Sequence, residues 1–127
     1  MRIAVLLATL SCASPALGLD WGWRSEDVAW QATFTALAVA DWGQTLDIAG
    51  QCRSADPSRY VRETNPLLGR CPTHWDVNTV LPLAIVAHAG ISALLPRPYR
   101  RYWQVLSVGV EGHSVFTNWR AGFRIRF

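Results

Sequence analysis

Three long apolar stretches dominate the chain, at Val28–Ile48, Val77–Leu95 and Tyr102–Trp119. Each approaches the length of about 20 residues that an α-helix needs to cross the hydrocarbon core of a membrane. Long apolar runs without strict alternation of polar and apolar positions favour helices over strands. The pattern therefore predicts an all-α fold, a small transmembrane helical bundle of three main helices.

Residues that begin and end helices set the expected bounds of these elements. Serine and aspartate accept hydrogen bonds from free amide groups at a helix start, so Ser25 and Asp76 are expected N-caps. The prolines after Leu95 should end the second helix. We expect the three helices at about residues 26–49, 77–95 and 99–119.

The N-terminal 18 residues have the composition of a signal peptide. Arg2 precedes a short apolar run, and Pro15 and small residues follow it. We expect residues 1–18 to be a signal peptide and residues 19–127 to form a single helical membrane domain.

The composition agrees with a membrane location. Hydrophobic residues make up 50% of the chain and charged residues 17%, which is more apolar than a typical soluble domain. The twelve basic residues are all arginine and are dispersed rather than clustered, so we expect no nucleic-acid partner. The predicted location is the bacterial inner membrane, multi-pass, with the lipid bilayer as partner and a membrane protein or a second copy of the chain as further candidates.

Two cysteines, Cys52 and Cys71, flank the segment between the first two helices. If the mature N-terminus lies outside the membrane, this segment and most of the arginines face the cytoplasm, in agreement with the positive-inside rule. That orientation predicts free thiols, and we favour it. The reverse orientation would permit a disulfide.

Polar side chains share a face on each predicted helix. Asp41, Gln44 and Thr45 follow i, i+3, i+4 spacing, and Glu111 and Asn118 lie two turns apart. Ionisable groups within a membrane span usually face the interior of a bundle because exposure to lipid is costly. We predict that polar side chains of all three helices converge inside the bundle. They are Asp41, Gln44, Thr45, His88, Glu111 and Asn118.

The segment Glu63-Thr64-Asn65-Pro66-Leu67-Leu68-Gly69 has the composition of a shaped turn, because proline fixes φ, glycine permits a positive φ and asparagine bonds to nearby backbone. Glu63 and Asn65 are added to the candidate site, although a surface turn with a solvated carboxylate is equally consistent with the pattern. Asp47 lies near a helix end, where a solvated ion pair with Arg53 is expected.

The candidate residues permit structural and functional interpretations. They can hydrogen-bond the helices together, or they can form a site. Asp41, His88 and Glu111 have the side-chain types of metal ligands, but the chain lacks a paired histidine or cysteine motif, which makes a metal site a weak hypothesis. No phosphate-binding loop or dinucleotide fingerprint occurs in the sequence, so we predict no cofactor.

Several motifs together resemble an uncharacterised family of small multi-span proteins in bacteria and their phages. The resemblance rests mainly on Asp41-x-x-Gln44-Thr45 and Glu63-x-Asn65-Pro66-Leu67-Leu68-Gly69, with His88 and the segment from Glu111 to Asn118 following in the same order. It covers most of the chain after residue 18. The resemblance implies a membrane location and no particular activity.

We predict from these observations a small integral membrane protein that binds a partner helix or lipid, with a buried polar cluster that specifies helix packing. The alternative is a membrane-embedded enzyme or ion-binding protein that uses Asp41, His88 and Glu111.

Overall fold

The computed structural model describes residues 20–52, 63 and 65–127. This part of the chain contains no strands and folds as three helices, α1 (Ser25–Cys52), α2 (His74–Leu94) and α3 (Arg97–Arg120). The predicted helical-bundle class is confirmed. The predicted signal peptide, residues 1–18, lies outside the described residues.

The helix starts differ from the expected ones. α2 begins with a capping box in which the Asp76 amide donates to Thr73 Oγ1 (3.0 Å) and the Thr73 amide donates to Asp76 Oδ2 (2.8 Å). Asp76 is therefore the third helical residue rather than the N-cap, because Thr73 satisfies the free amide groups from one turn earlier. In α1, Ser25 is already helical, and the Arg24 amide donates to Asp27 Oδ2 (2.9 Å).

α1 is the central element of the bundle. It packs most extensively against α3 and less so against α2, while α2 and α3 share few contacts. Asp27 and Arg100 meet near the N-terminal ends of α1 and α3, and Asp41 and Asn118 meet further along both helices. α1 and α3 are therefore parallel, and α2 runs in the opposite direction.

The described part of the bundle buries as many polar or charged residues as hydrophobic ones and exposes large apolar side chains. Large apolar side chains are exposed along α2 and α3, among them Leu83, Val86 and Leu106. Soluble interiors rarely bury charged side chains. Here the buried set includes eight polar or charged residues, Asp27, Gln44, Thr45, Asp47, His88, Ser92, Arg100 and Gln104.

Of the described helices, α2 alone is long and apolar enough to cross a membrane, and 22% of its apolar stretch is buried. α1 and α3 do not meet this criterion because their polar side chains lie within the helical segments. The structure thus supports one candidate span, where the sequence predicted three.

Cys52 and Cys71 form a disulfide, with their Cα atoms 5.7 Å apart. The predicted free thiols are wrong. The antiparallel packing of α1 and α2 brings the end of α1 next to the segment that precedes α2, so the two cysteines meet. Beside them lies a small apolar core that includes Leu46, Ala49 and Val77.

The C-terminal residues return along α1. The Arg126 amide donates to the Gly43 carbonyl (3.0 Å), and the Arg124 amide donates to Asp47 Oδ2 (2.9 Å). The Arg126 guanidinium also pairs with Asp47 at 3.2 Å, and Asp47 is only 4% exposed. The expected solvated ion pair of Asp47 is therefore wrong, since the tail covers this carboxylate; Arg53 lies outside the described residues.

Gly43 permits this close approach. A Cβ atom at Gly43 would meet the Ile125 side chain and the backbone of the tail. The absence of a side chain at Gly43 therefore lets the C-terminal segment pack directly against α1.

Candidate functional site

A cavity of about 440 Å³ opens between the three helices and the turn that precedes α2. Two half-buried carboxylates from facing helices, Asp41 of α1 and Glu111 of α3, line it. Glu63 and Asn65 of the turn line it as well. The remaining wall is mixed, with apolar side chains on α1, α2 and the turn and mainly polar ones on α3, namely Phe34, Ala38, Pro66, Leu81, Ala84, Ile85, Val110, His113, Ser114, Thr117 and Asn118.

Asp41 is held in place by α3. Asn118 Nδ2 donates to Asp41 Oδ1 at 2.9 Å, and Thr45 lies one turn further along the same face of α1. Two amphipathic faces explain this contact, because Asp41 and Thr45 are spaced i, i+4 on α1 and Asn118 lies two turns after Glu111 on α3. A carboxylate fixed by an amide donor keeps its remaining acceptor capacity for a ligand.

Gln44 and Thr45 lie behind the cavity wall rather than on it. Both are buried, and Gln44 Nε2 donates to the Val115 carbonyl at 3.3 Å. These contacts join α1 to α3, so both residues support the cavity through helix packing.

The turn expected from the sequence is present and positions Glu63. The Asn65 amide donates to Glu63 Oε1 (2.8 Å), and Asn65 Oδ1 accepts from the Leu67 amide (3.0 Å). Gly69 has a φ of +73°, a value that glycine adopts without strain. The Glu63 amide donates to the Arg70 carbonyl beside Cys71, so the disulfide and the turn together bring this carboxylate to the cavity.

His88 is separated from the two carboxylates. It is 4% exposed and lies between two aromatic rings, with ring centroids 3.6 Å from Phe34 and 5.1 Å from Trp103. Phe34 stands between the imidazole and the cavity, since it lines the cavity and stacks on His88. Asp41, His88 and Glu111 therefore do not form a joint ligand set, and no group of three or more metal-ligating side chains occurs within the described part of the chain.

Three polar residues of the cavity, His113, Ser114 and Thr117, were not among the candidate site residues, although Ser114 follows Glu111 by three residues on the same helix face. The helical period directs His113 about 200° away from Glu111, yet both border the cavity. His113 is exposed, so it lies at the mouth of the cavity. Its position two residues after Glu111 in the sequence was the available signal.

A second polar centre, also missed by sequence reasoning, closes the opposite end of the bundle. Arg100 is fully buried and lies 3.5 Å from the Asp27 carboxylate and 4.8 Å from the centroid of the Trp23 ring. Its guanidinium donates to four backbone carbonyls at 2.7–3.0 Å, those of Ser92, Gly22, Trp21 and Leu95. Arg100 thereby joins the segment before α1 to α2 and α3.

The exposed start of this N-terminal segment carries Asp20. The Gly22 amide, 2.9 Å from Asp20 Oδ1, and the neighbouring Arg24 guanidinium hold the pKa of this carboxyl below its usual value. The Asp20 carbonyl accepts from the Arg97 amide at 2.7 Å, which attaches the segment to the start of α3.

Comparison of the chain with protein-family models, curated proteins and solved structures found no match. The resemblance to small membrane proteins of bacteria and phages therefore stays a prediction.

Proposed function

We propose that this chain is a small integral membrane protein of the bacterial inner membrane, with an apolar outer surface that binds lipid and a polar interior that fixes helix packing. The observation that carries the proposal is the distribution of polarity in the bundle, with many polar side chains inside and large apolar ones outside. Among the described residues, eight polar or charged ones are buried, whereas large apolar side chains along α2 and α3 are exposed.

Exposed apolar area favours lipid over water. Each Å² of apolar surface in contact with water costs about 25 cal/mol. On α2, Leu83 and Val86 are 64% and 67% exposed, and α3 exposes Leu106 at 66% and Phe116 at 51%. A hydrocarbon environment removes this cost without a change in the fold.

The polar interior explains how α1 and α3 can accompany α2 in the membrane. The contact of Asp41 with Asn118 and that of Gln44 with the Val115 carbonyl join α1 to α3. Polar groups in hydrocarbon are stable when the bundle itself provides their hydrogen-bond partners. α1 and α3 are each too polar to cross a membrane alone, but they can cross it together because each provides hydrogen-bond partners for the other.

The disulfide supports the orientation opposite to the one favoured by the arginine distribution. Disulfides persist in oxidising compartments and are rare in the cytoplasm. We propose that the end of the bundle with Cys52 and Cys71 faces the periplasm. The mouth of the cavity is next to this end, because Glu63 and Asn65 line it.

Val86→Arg tests the membrane location. Val86 is exposed near the middle of α2, so in lipid an arginine there should cost about 2.5–3.5 kcal/mol of insertion free energy. In water the same surface change should lie within about 0.5 kcal/mol. We expect the variant to lose membrane association in alkaline carbonate extraction and vesicle flotation, while the wild type remains with the membrane.

Trp75→Arg is the matched control, because Trp75 is 77% exposed but lies in the first turn of α2, where an arginine can reach the headgroup region. It should stay with the membrane. Wild-type protein released by carbonate would contradict the proposal.

A second candidate function is the binding of a cationic group in the cavity. Asp41 and Glu111 face one cavity, and no arginine occurs among the described residues that line it. Two carboxylates in a medium of low dielectric repel each other, and a cation between them relieves this repulsion.

The cavity hypothesis predicts charge-selective binding. We expect butylammonium to bind the purified protein and uncharged butanol to bind far more weakly, because the two differ mainly in the charge that Asp41 and Glu111 would contact. Asp41→Asn and Glu111→Gln should each weaken butylammonium binding by about tenfold or more, measured by calorimetry. Ser107→Ala on α3, outside the described cavity lining, is the control. Equal binding of both probes would contradict the hypothesis.

A further inference from the structure

The acidic cavity also reaches the flank of the bundle, between α2 and α3. Ala84 and Val110 both line the cavity, and both are exposed. Ala84 is the middle residue of α2, and Val110 lies near the middle of α3. The two helices share few contacts, so little of either helix closes the space between them. An opening at the middle of a membrane-spanning helix faces the hydrocarbon core of the bilayer rather than water.

One wall of the cavity is apolar. Phe34 and Ala38 of α1 and Leu81 and Ile85 of α2 line it, and all four have hydrocarbon side chains. Pockets of about 300–1,000 Å³ that combine an apolar wall with a few convergent polar groups are typical binding sites for small molecules, and this cavity measures about 440 Å³. A ligand that matches such a lining has an apolar body and a polar head.

The lining also restricts the charge of that head. Asp41 and Glu111 supply carboxylates from facing helices, and Glu63 supplies a third from the turn. No arginine occurs among the described lining residues, so a phosphate group would lack the guanidinium partner that commonly binds it and would lie beside carboxylates of the same charge. The lining therefore favours a cationic head without a phosphate.

We propose that the cavity binds an alkylammonium amphiphile that enters from the bilayer through the flank between α2 and α3. Its ammonium group donates to the carboxylates of Asp41 and Glu111, and its hydrocarbon chain packs along the apolar wall toward the flank. No covalent bond forms or breaks. The ligand assignment rests on the cation binding and the membrane location proposed above, and it specifies a cation carried on a hydrocarbon chain rather than an inorganic ion.

Dependence of affinity on chain length is the first test. Calorimetry in mild detergent, with protein-free micelles as the blank, compares butylammonium, hexylammonium and uncharged hexanol. Each buried methylene group contributes about fourfold in affinity, so hexylammonium should bind about fifteenfold more tightly than butylammonium. Hexanol should bind far more weakly than hexylammonium, because it lacks the charge.

Ala84→Leu tests entry through the flank. Ala84 is exposed, so a leucine there leaves the core unchanged but narrows the opening between α2 and α3. We expect this variant to bind hexylammonium at least about tenfold more weakly than the wild type. Ala93→Leu is the matched control, because Ala93 is also exposed on α2 but lies outside the described cavity lining. It should bind like the wild type, and circular dichroism should show that both variants are folded.

The outcomes separate the ligand class from cation binding itself. Equal affinities for butylammonium and hexylammonium would overturn the alkylammonium assignment, as would wild-type hexylammonium affinity in folded Ala84→Leu, and both results would leave cation binding intact. Hexanol that binds as tightly as hexylammonium would overturn the assignment as well. A wild-type protein that binds neither ammonium ion would contradict cation binding and the alkylammonium assignment together.

Discussion

Replacement of Arg100 with methionine is expected to lower the free energy of unfolding by about 3–5 kcal/mol, the cost of breaking a buried charge pair from one side. Methionine retains most of the apolar stem and removes the guanidinium. The Asp27 carboxylate then loses a buried partner at 3.5 Å, and four backbone carbonyls lose their donor. Denaturant unfolding in mild detergent, followed by tryptophan fluorescence, measures the loss.

Arg101→Met is the matched control for this variant. Arg101 is the next residue in α3, its side chain is 56% exposed, and it pairs with Glu26 at 2.8 Å. Exposed ion pairs contribute up to about 1 kcal/mol, so this variant should unfold near the wild-type midpoint. Equal losses for the two variants would show that the buried guanidinium is not a principal source of stability.

Loss of the disulfide should have the second large effect. We expect the double variant Cys52→Ser with Cys71→Ser to lose about 3 kcal/mol of unfolding free energy, because the bond closes a loop across a sequence separation of 19 residues. The same bond positions the turn that brings Glu63 to the cavity. Denaturant unfolding of the double variant, and of the wild type with and without dithiothreitol, provides the measurement.

The reduced wild type should unfold like the double variant, since both lack the same covalent bond. Hydrogen exchange should then be faster at the amides around Glu63 and Arg70 than in α3, which the disulfide does not touch. A wild type whose unfolding midpoint is unaffected by dithiothreitol would refute this prediction.

The local sequence pattern was sufficient to predict the three helices, because helix formation depends on residues that are close together in the sequence. The expected bounds of 26–49, 77–95 and 99–119 differ from the observed helices by no more than three residues at each end. The difference of three residues at the start of α2, equalled only at the end of α1, arises from the choice of cap. Thr73 and Asp76 both favour a helix start, and their reciprocal bonding decides between them.

The sequence predicted those residues of the candidate site whose position follows from the polar face of a single helix. Asp41, Glu111 and Asn118 share one cavity, as expected for polar faces that turn toward each other. His88 is buried, as expected. It contacts Phe34 and Trp103, however, and the Phe34 ring separates it from the cavity. The period of a helix shows on which face of that helix a side chain lies. It does not show which residues of a neighbouring helix lie opposite that face.

By itself the sequence determined the three helices, their polar faces and the shaped turn at Glu63, because these follow from spacing and from the backbone preferences of nearby residues. Only the tertiary structure decided the disulfide, the contact of the C-terminal tail with Asp47 and the burial of Arg100. These contacts join residues 19 to 79 positions apart, so they depend on how the helices pack. Periodicity carries no information about that packing, since the same amphipathic helices can pair in several registers.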